Sequence, residues 1–309
     1  MSIQDKLTTL VEGKQAVVDA VNSVNDNGLK LTSEWGEIAD TISNIVTGQM
    51  ILDGRGAYGG HYLFYESKTV EDPSYLSYLD WSKNESCAFM FGSATKGTYC
   101  TIKHAPYFDT SNCNTFSSMF VYASDLESLP EPFYDTSKVT SFANFLLTST
   151  NKDPTLDKLG KGKEFTLNCP VAQNLAYAFS GRYFKKIKIN NTNTCTNLSN
   201  LCMYNPYLET LDINTMDGLT TTSSSGKIVS GESLTKFILR NATKVPPLNT
   251  NSFATCHHFK GTVDATYNPT GAKDGRIYVP DALVNKFKTA TNWSTYADVI
   301  VPLSTLVED

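Results

Sequence analysis

The residues best equipped for chemistry in this chain are few and scattered. Cys256-His257-His258 sets a thiol beside two imidazoles, types that ligate zinc or serve as nucleophile and base. Adjacent residues of a strand point to opposite faces, and no carboxylate or cysteine at ligand spacing completes a set. The pair therefore reads as surface or loop histidines, and no metal is expected. His61 and His104 stand alone. Asp109 and Asp135 are spaced as a repeat-equivalent pair, which suits turn or cap residues better than the paired acids of a glycosidase. Ser230-Gly231-Glu232-Ser233 lacks the G-x-S-x-G frame of a nucleophile elbow. Gly54-Arg55-Gly56 lacks the strand, lysine and helix of a phosphate loop. Nothing assembles a nucleophile, a base and an orienting group, so neither catalysis nor a cofactor is expected.

Composition narrows the partners. The 309 residues are 40% hydrophobic and 18% charged, with Ser, Thr and Asn filling many polar positions. A net charge of −5 argues against a phosphate-backbone partner. The densest basic run, Lys185-Lys186-Ile187-Lys188, reads as a strand with lysines facing water. No apolar run is long enough to span a membrane, and Met1 to Lys6 lacks the basic and apolar regions of a secretory signal. Seven cysteines without CxxC spacing read as small core hydrophobes rather than a disulfide framework.

The elements that position these residues are repeated. Pro106-Tyr107-Phe108-Asp109-Thr110-Ser111 returns as Pro132-Phe133-Tyr134-Asp135-Thr136-Ser137, an offset of 26. Apolar pairs three apart recur as Tyr99/Ile102, Leu126/Leu129, Leu156/Leu159, Phe184/Ile187/Ile189, Leu208/Leu211/Ile213 and Leu234/Phe237/Leu239. Phe259 follows as a degenerate last copy. This is the L-x-x-L-x-L skeleton of a leucine-rich repeat, with one short strand per unit. Upstream groups such as Phe116/Met119/Phe120, Phe142/Phe145/Leu146 and Leu198/Leu201/Cys202 have the spacing of a short helix facing the strands.

The expected organisation has four parts. Residues 1–46 form two amphipathic helices for oligomerisation or attachment, with Leu7, Leu10, Val11, Val18, Trp35, Ile38 and Ile42 on their apolar stripes. Residues 47–86 are a Gly- and Tyr-rich β connection, with a strand at Tyr62-Leu63-Phe64-Tyr65. Residues 87–270 are the repeat array. Residues 271–309 cap it: Ile277-Tyr278-Val279 closes the ladder, Asp281 N-caps a helix over Ala282–Thr289, and Leu283, Val284, Phe287, Trp293 and Tyr296 seal the last repeat. The fold class is α/β, a leucine-rich-repeat solenoid with a short helix or irregular return per repeat, an N-terminal helical segment and a C-terminal cap.

Thr115-Phe116-Ser117-Ser118-Met119-Phe120, Leu126-Glu127-Ser128-Leu129 and Phe133-Tyr134-Asp135-Thr136-Ser137-Lys138-Val139-Thr140 resemble the BspA-type leucine-rich repeats of bacterial surface lipoproteins. Gly275-Arg276-Ile277-Tyr278-Val279-Pro280-Asp281, with Asn292-Trp293-Ser294 and Tyr296-Ala297-Asp298, is similar to the closing cap of such arrays in phage structural proteins. Gly13-Lys14-Gln15-Ala16-Val17 and Trp35-Gly36-Glu37-Ile38-Ala39 resemble a helical segment of phage virion proteins. The resemblance implies a non-enzymatic virion protein, a fibre or baseplate-type appendage, made in the host cytoplasm. Its implied partners are other virion proteins, copies of itself (a trimer among the options) and a host-surface glycan or protein, with no nucleic acid and no membrane insertion. The alternative is a bacterial cell-surface adhesin with the same repeats.

Binding would then fall to the strand layer. Positions between the inward apolar residues align as rows on one face: Lys186 and Lys188, Thr210 and Asp212, Lys236 and Ile238.

Overall fold

The computed structural model describes residues 60–66, 73, 76–77, 81–93, 100–148, 157–221 and 226–308. The candidate attachment residues Leu7, Leu10, Val11, Val18, Trp35, Ile38 and Ile42 lie outside them, as do Tyr99 and Leu156. Six short strands stand in one all-parallel sheet in chain order: β1 Glu164–Asn168, β2 Lys186–Asn190, β3 Thr210–Ile213, β4 Lys236–Leu239, β5 Arg276–Val279 and β6 Ile300–Pro302. The first four open at steps of 22, 24 and 26 residues. Each strand alternates, and the inward set is aliphatic or aromatic: Leu167, Ile187 and Ile189, Leu211 and Ile213, Phe237 and Leu239, Ile277 and Val279. These side chains belong to one continuous core running from Leu76 to Ile300. Each such burial contributes about 1.5–3 kcal/mol, and a stacked array needs it because no single coil encloses a core.

The register corrects four expectations. Phe165, not Leu159, pairs with Ile187, and Gly162 takes the skeleton position opposite Phe184. His104 bridges Ser128, which aligns Ile102 with Leu126. Phe259 is not a strand position: it is buried in the short helix α1, His257–Lys260, and β4 pairs directly with β5. That insertion stretches the β4-to-β5 step to 40 residues. The ladder closes on β6, one strand later than Ile277-Tyr278-Val279.

The return segments are not helices. Opposite the sheet, Ser86, Thr115, Ser141, Asn174 and Asn197 bridge one another in parallel, coil to coil. From each, the chain proceeds as a ribbon of consecutive turns whose amides alternate between two kinds of partner. After Thr115, the Met119, Val121 and Ala123 N–H groups close local turns onto Phe116, Ser118 and Phe120. Those of Phe116, Ser118, Phe120 and Tyr122 instead donate to Ser141, Ala143, Phe145 and Leu147 of the next coil. Every fourth residue is left-handed, as at Ser118 (φ 58°) and Tyr122 (φ 57°). A helix this short would leave most of its backbone groups unpaired, whereas the stacked ribbon pairs them across coils. Residues 60–66 follow the same pattern against Ala88, Met90 and Gly92, so Tyr62-Leu63-Phe64-Tyr65 is ribbon, not strand.

The bridging residues are polar for a local reason. Ser86, Thr115, Ser141, Asn174 and Asn197 each accept the N–H two residues on through the side-chain oxygen. Asp109 and Asp135 do the same for Ser111 and Ser137, confirming their turn role. Between coils, Phe64, Phe91 and Phe120 stack at 5.4 Å per step.

Where the repeat is stretched, the core holds an ion pair. Arg182 is fully buried; its Nη1 lies 3.0 Å from Asp157 Oδ1, and its Nε and Nη2 donate to the carbonyls of Leu146 and Ala123 on two earlier coils. Asp157 also accepts the Gly160 and Tyr183 N–H groups. A Cβ on Gly160 would stand 2.5 Å from Asp157 Oδ2, so only glycine fits there.

The cap seals as expected, with Leu283, Phe287, Trp293 and Tyr296 buried and Val284 packed beside them. Its helix differs. A 3-10 turn, Asp281–Leu283, precedes α2, Val284–Thr289, and Pro280 precedes the turn. Asp281 does not cap it: its carboxylate accepts the Ser304 N–H at 3.0 Å, and the Ser304 hydroxyl, then that N–H, hold it below the ordinary aspartate range.

Candidate functional site: the outer face of the sheet

Parallel pairing sets Lys186, Thr210, Lys236 and Arg276 in one row on the outer face, and Lys188, Asp212, Ile238 and Tyr278 in the next. The rows are those read from the sequence, but their accessibility is uneven. Lys186, Lys188 and Lys236 are half-buried, whereas Thr210, Asp212 and Ile238 are buried. Lys186 leans on Glu164 of the neighbouring strand at 3.4 Å. The lysine rows keep access to solvent, and the middle of the face is enclosed.

Arg240, just past β4, organises that middle. Its Nε donates to Asp212 Oδ1 and Oδ2 at 2.9 and 2.8 Å, and its Nη2 to Oδ2 at 2.6 Å. Asp212 is only 2% exposed, so one edge of the guanidinium is fixed on a buried carboxylate. The other edge takes Glu308, with Nη1 to Oε1 at 2.6 Å and Nη2 to Oε2 at 3.1 Å. The Arg240 hydrogen bonds hold the Glu308 carboxyl below its ordinary range, with a smaller contribution from Lys188 and Lys186. The sequence carries half of this signal. Asp212 and Arg240 fall on the outward alternation of adjacent strands, a diagonal cross-strand pair. Glu308, 68 residues on, has no periodic relation to either.

The other chemistry-bearing residues are structural. His257 and His258 sit on the first turn of α1, not on a strand. His258 Nδ1 lies 2.7 Å from Asp274 Oδ1 and its Nε2 3.0 Å from the Tyr267 carbonyl; His257 Nδ1 lies 2.8 Å from Thr262 Oγ1. Both imidazoles tie down the loop between α1 and β5. All seven cysteines are buried free thiols. Cys87 and Cys113 touch across coils at 3.1 Å, and Asn84 Nδ2 donates to both. Among the described residues no three His, Cys, Asp or Glu side chains converge on a metal position. No helix among them is long and apolar enough to cross a membrane.

A concavity of about 440 Å³ lies toward the N-terminal part of the array, lined by Ser82, Lys83, Glu85, Asn112, Asn114 and Lys138. Its side chains largely bind one another: Lys138 Nζ donates to Asn112 Oδ1 at 2.7 Å, and Asn112 Nδ2 to the Ser82 carbonyl at 2.7 Å.

The fold defines a repeat solenoid: a parallel sheet of short, regularly spaced strands with few helices, consistent with a leucine-rich-repeat-like build. No protein-family model, curated protein or solved structure matches the chain.

Proposed function

We propose that this chain is a non-enzymatic structural protein of a bacteriophage particle, a fibre or baseplate-type appendage built from BspA-type leucine-rich repeats. Residues 1–46 attach it to other virion proteins and to copies of itself. The solenoid faces outward and holds a host-surface molecule on its strand face. The observation that carries this reading is the outer face of the sheet, where Lys186, Lys236 and Arg276 share one in-register row and Lys188 stands in the next, on a ladder fixed by its own backbone. Such a scaffold positions side chains at the strand spacing of about 4.8 Å and suits recognition of an extended partner.

Mass spectrometry of density-purified particles from a lysing culture that expresses the chain provides the test. Stoichiometric recovery with capsid and tail proteins is expected, and removal of residues 1–46 should abolish it. Absence from particles overturns the assignment, and recovery in the cell-envelope fraction instead would assign the chain to a bacterial adhesin.

A further inference from the structure

We propose that the outward edge of Arg240 is a docking site for an extended, glutamate-bearing peptide of a partner protein, and that the chain's own Leu306-Val307-Glu308 occupies it in this structure. The inference deepens the reading of the strand face as a contact surface and rests on it.

The site is built rather than incidental. A guanidinium offers two parallel forks, and buried Asp212 fixes one of them through three hydrogen bonds. The remaining fork, Nη1 with Nη2, is therefore aimed before any ligand arrives. It receives a carboxylate in the two-point manner that a lysine cannot reproduce. Lys186 and Lys188 lie near enough on the same face to act on that carboxylate.

The occupant identifies the ligand class. Leu306 has extended backbone (φ −69°, ψ 124°) and is half-buried, while Val307 is 77% exposed. Of this segment, the Glu308 carboxylate is bound to Arg240, and Leu306 two residues before it is half-buried. The Glu308 side chain is 65% exposed, against 2% for Asp212. An exposed two-point pair exchanges readily with a competing carboxylate, whereas the buried half stays made. Leu306-Val307-Glu308 thus behaves as an internal competitor that a peptide of the same chemistry can displace.

The test is a fluorescence-anisotropy titration with a labelled peptide of sequence Leu-Ser-Thr-Leu-Val-Glu-Asp, identical to residues 303–309. The full chain carrying Glu308→Ala should bind it about tenfold more tightly than the unaltered chain, and adding Arg240→Lys should remove that gain. A peptide carrying Glu308→Gln should not compete. Equal affinity of the unaltered chain and the Glu308→Ala variant overturns the proposal. So does equal binding of the Glu308→Gln peptide, or an oligosaccharide of uronic acids that outcompetes the peptide. Should Arg240→Lys fail to fold, the comparison of the two peptides on the Glu308→Ala chain decides alone. A failed titration leaves the virion assignment standing, and particles without the chain leave this site standing.

Discussion

Arg182 and Asp157 form an ion pair at 3.0 Å whose side chains are 0% and 3% exposed, joining three coils of the array at its most irregular point. Burial pushes the arginine below its usual range, and Asp157 opposes that shift. Every donor used meets a carbonyl or carboxylate, which is the condition for tolerating charge in a core.

Arg182→Met should therefore destabilise the chain by about 3–5 kcal/mol, since it strands Asp157 without its counter-charge. Urea denaturation followed by circular dichroism measures this. A loss no larger than that of an exposed lysine replaced by methionine would contradict the clamp.

Leu211 is fully buried between Ile187 and Phe237 in the ladder. Leu211→Ala should cost about 2–5 kcal/mol through lost burial and the cavity left behind. Because neighbouring coils depend on each other, hydrogen exchange should accelerate in β2 and β4 as well as in β3. Exchange changed in β3 alone would argue against a shared core.

The thiols should be inert in the native chain. Burial pushes Cys100 and Cys195 up to about 11, and Cys169 and Cys256 up to about 12. Cys202 is raised by burial, and Cys113 by its contact with Cys87 and then by burial. At pH 8 an aromatic disulfide reagent should label these sites only as fast as the coils open, and all seven cysteines at once in guanidinium. Rapid stoichiometric labelling of the native chain would refute this.

Asp135 predicts an acid-sensitive turn. The Ser137 backbone N–H, then its hydroxyl, lowers the carboxyl below 3.8. With the folded value below the unfolded one, the contribution is present above the unfolded pKa and lost as pH falls through the lowered folded value. Carboxyl-carbon NMR should place the native titration below 3.8. Asp135→Asn, which keeps the acceptor oxygen, should flatten stability over that window, and an unchanged pH profile would remove Asp135 from the account.

Much of the ladder was legible in the sequence, because Phe184/Ile187/Ile189, Leu208/Leu211/Ile213 and Leu234/Phe237/Leu239 recur with the strand period and pair in that register. The return segments were misread because period cannot separate a helix from a ribbon of turns. Phe116, Met119 and Phe120 suit both, and the choice depends on amides that find carbonyls one coil away. The signal that could have decided it was the Ser86, Thr115, Ser141, Asn174, Asn197 series, whose short polar side chains favour turns over helix interiors. Gly162 was overlooked for a different reason: it holds a skeleton position without contributing an apolar side chain.

The outer face was legible as rows and not as a surface. Alternation places Asp212 and Ile238 outward, but an outward position is not thereby an exposed one, and both are buried. What encloses that part of the sheet is tied to Glu308, whose link to Arg240 is a long-range contact that no local pattern encodes.

Pro302 ends β6 at the outer margin of the sheet, and the chain bends at once into the 3-10 turn Leu303–Thr305. Proline has no amide hydrogen to offer a newcomer, and the bend carries the backbone away from the line of growth. That pole is a poor template for a second molecule, so copies of this solenoid should not polymerise end to end through it into fibrils, even when crowded together.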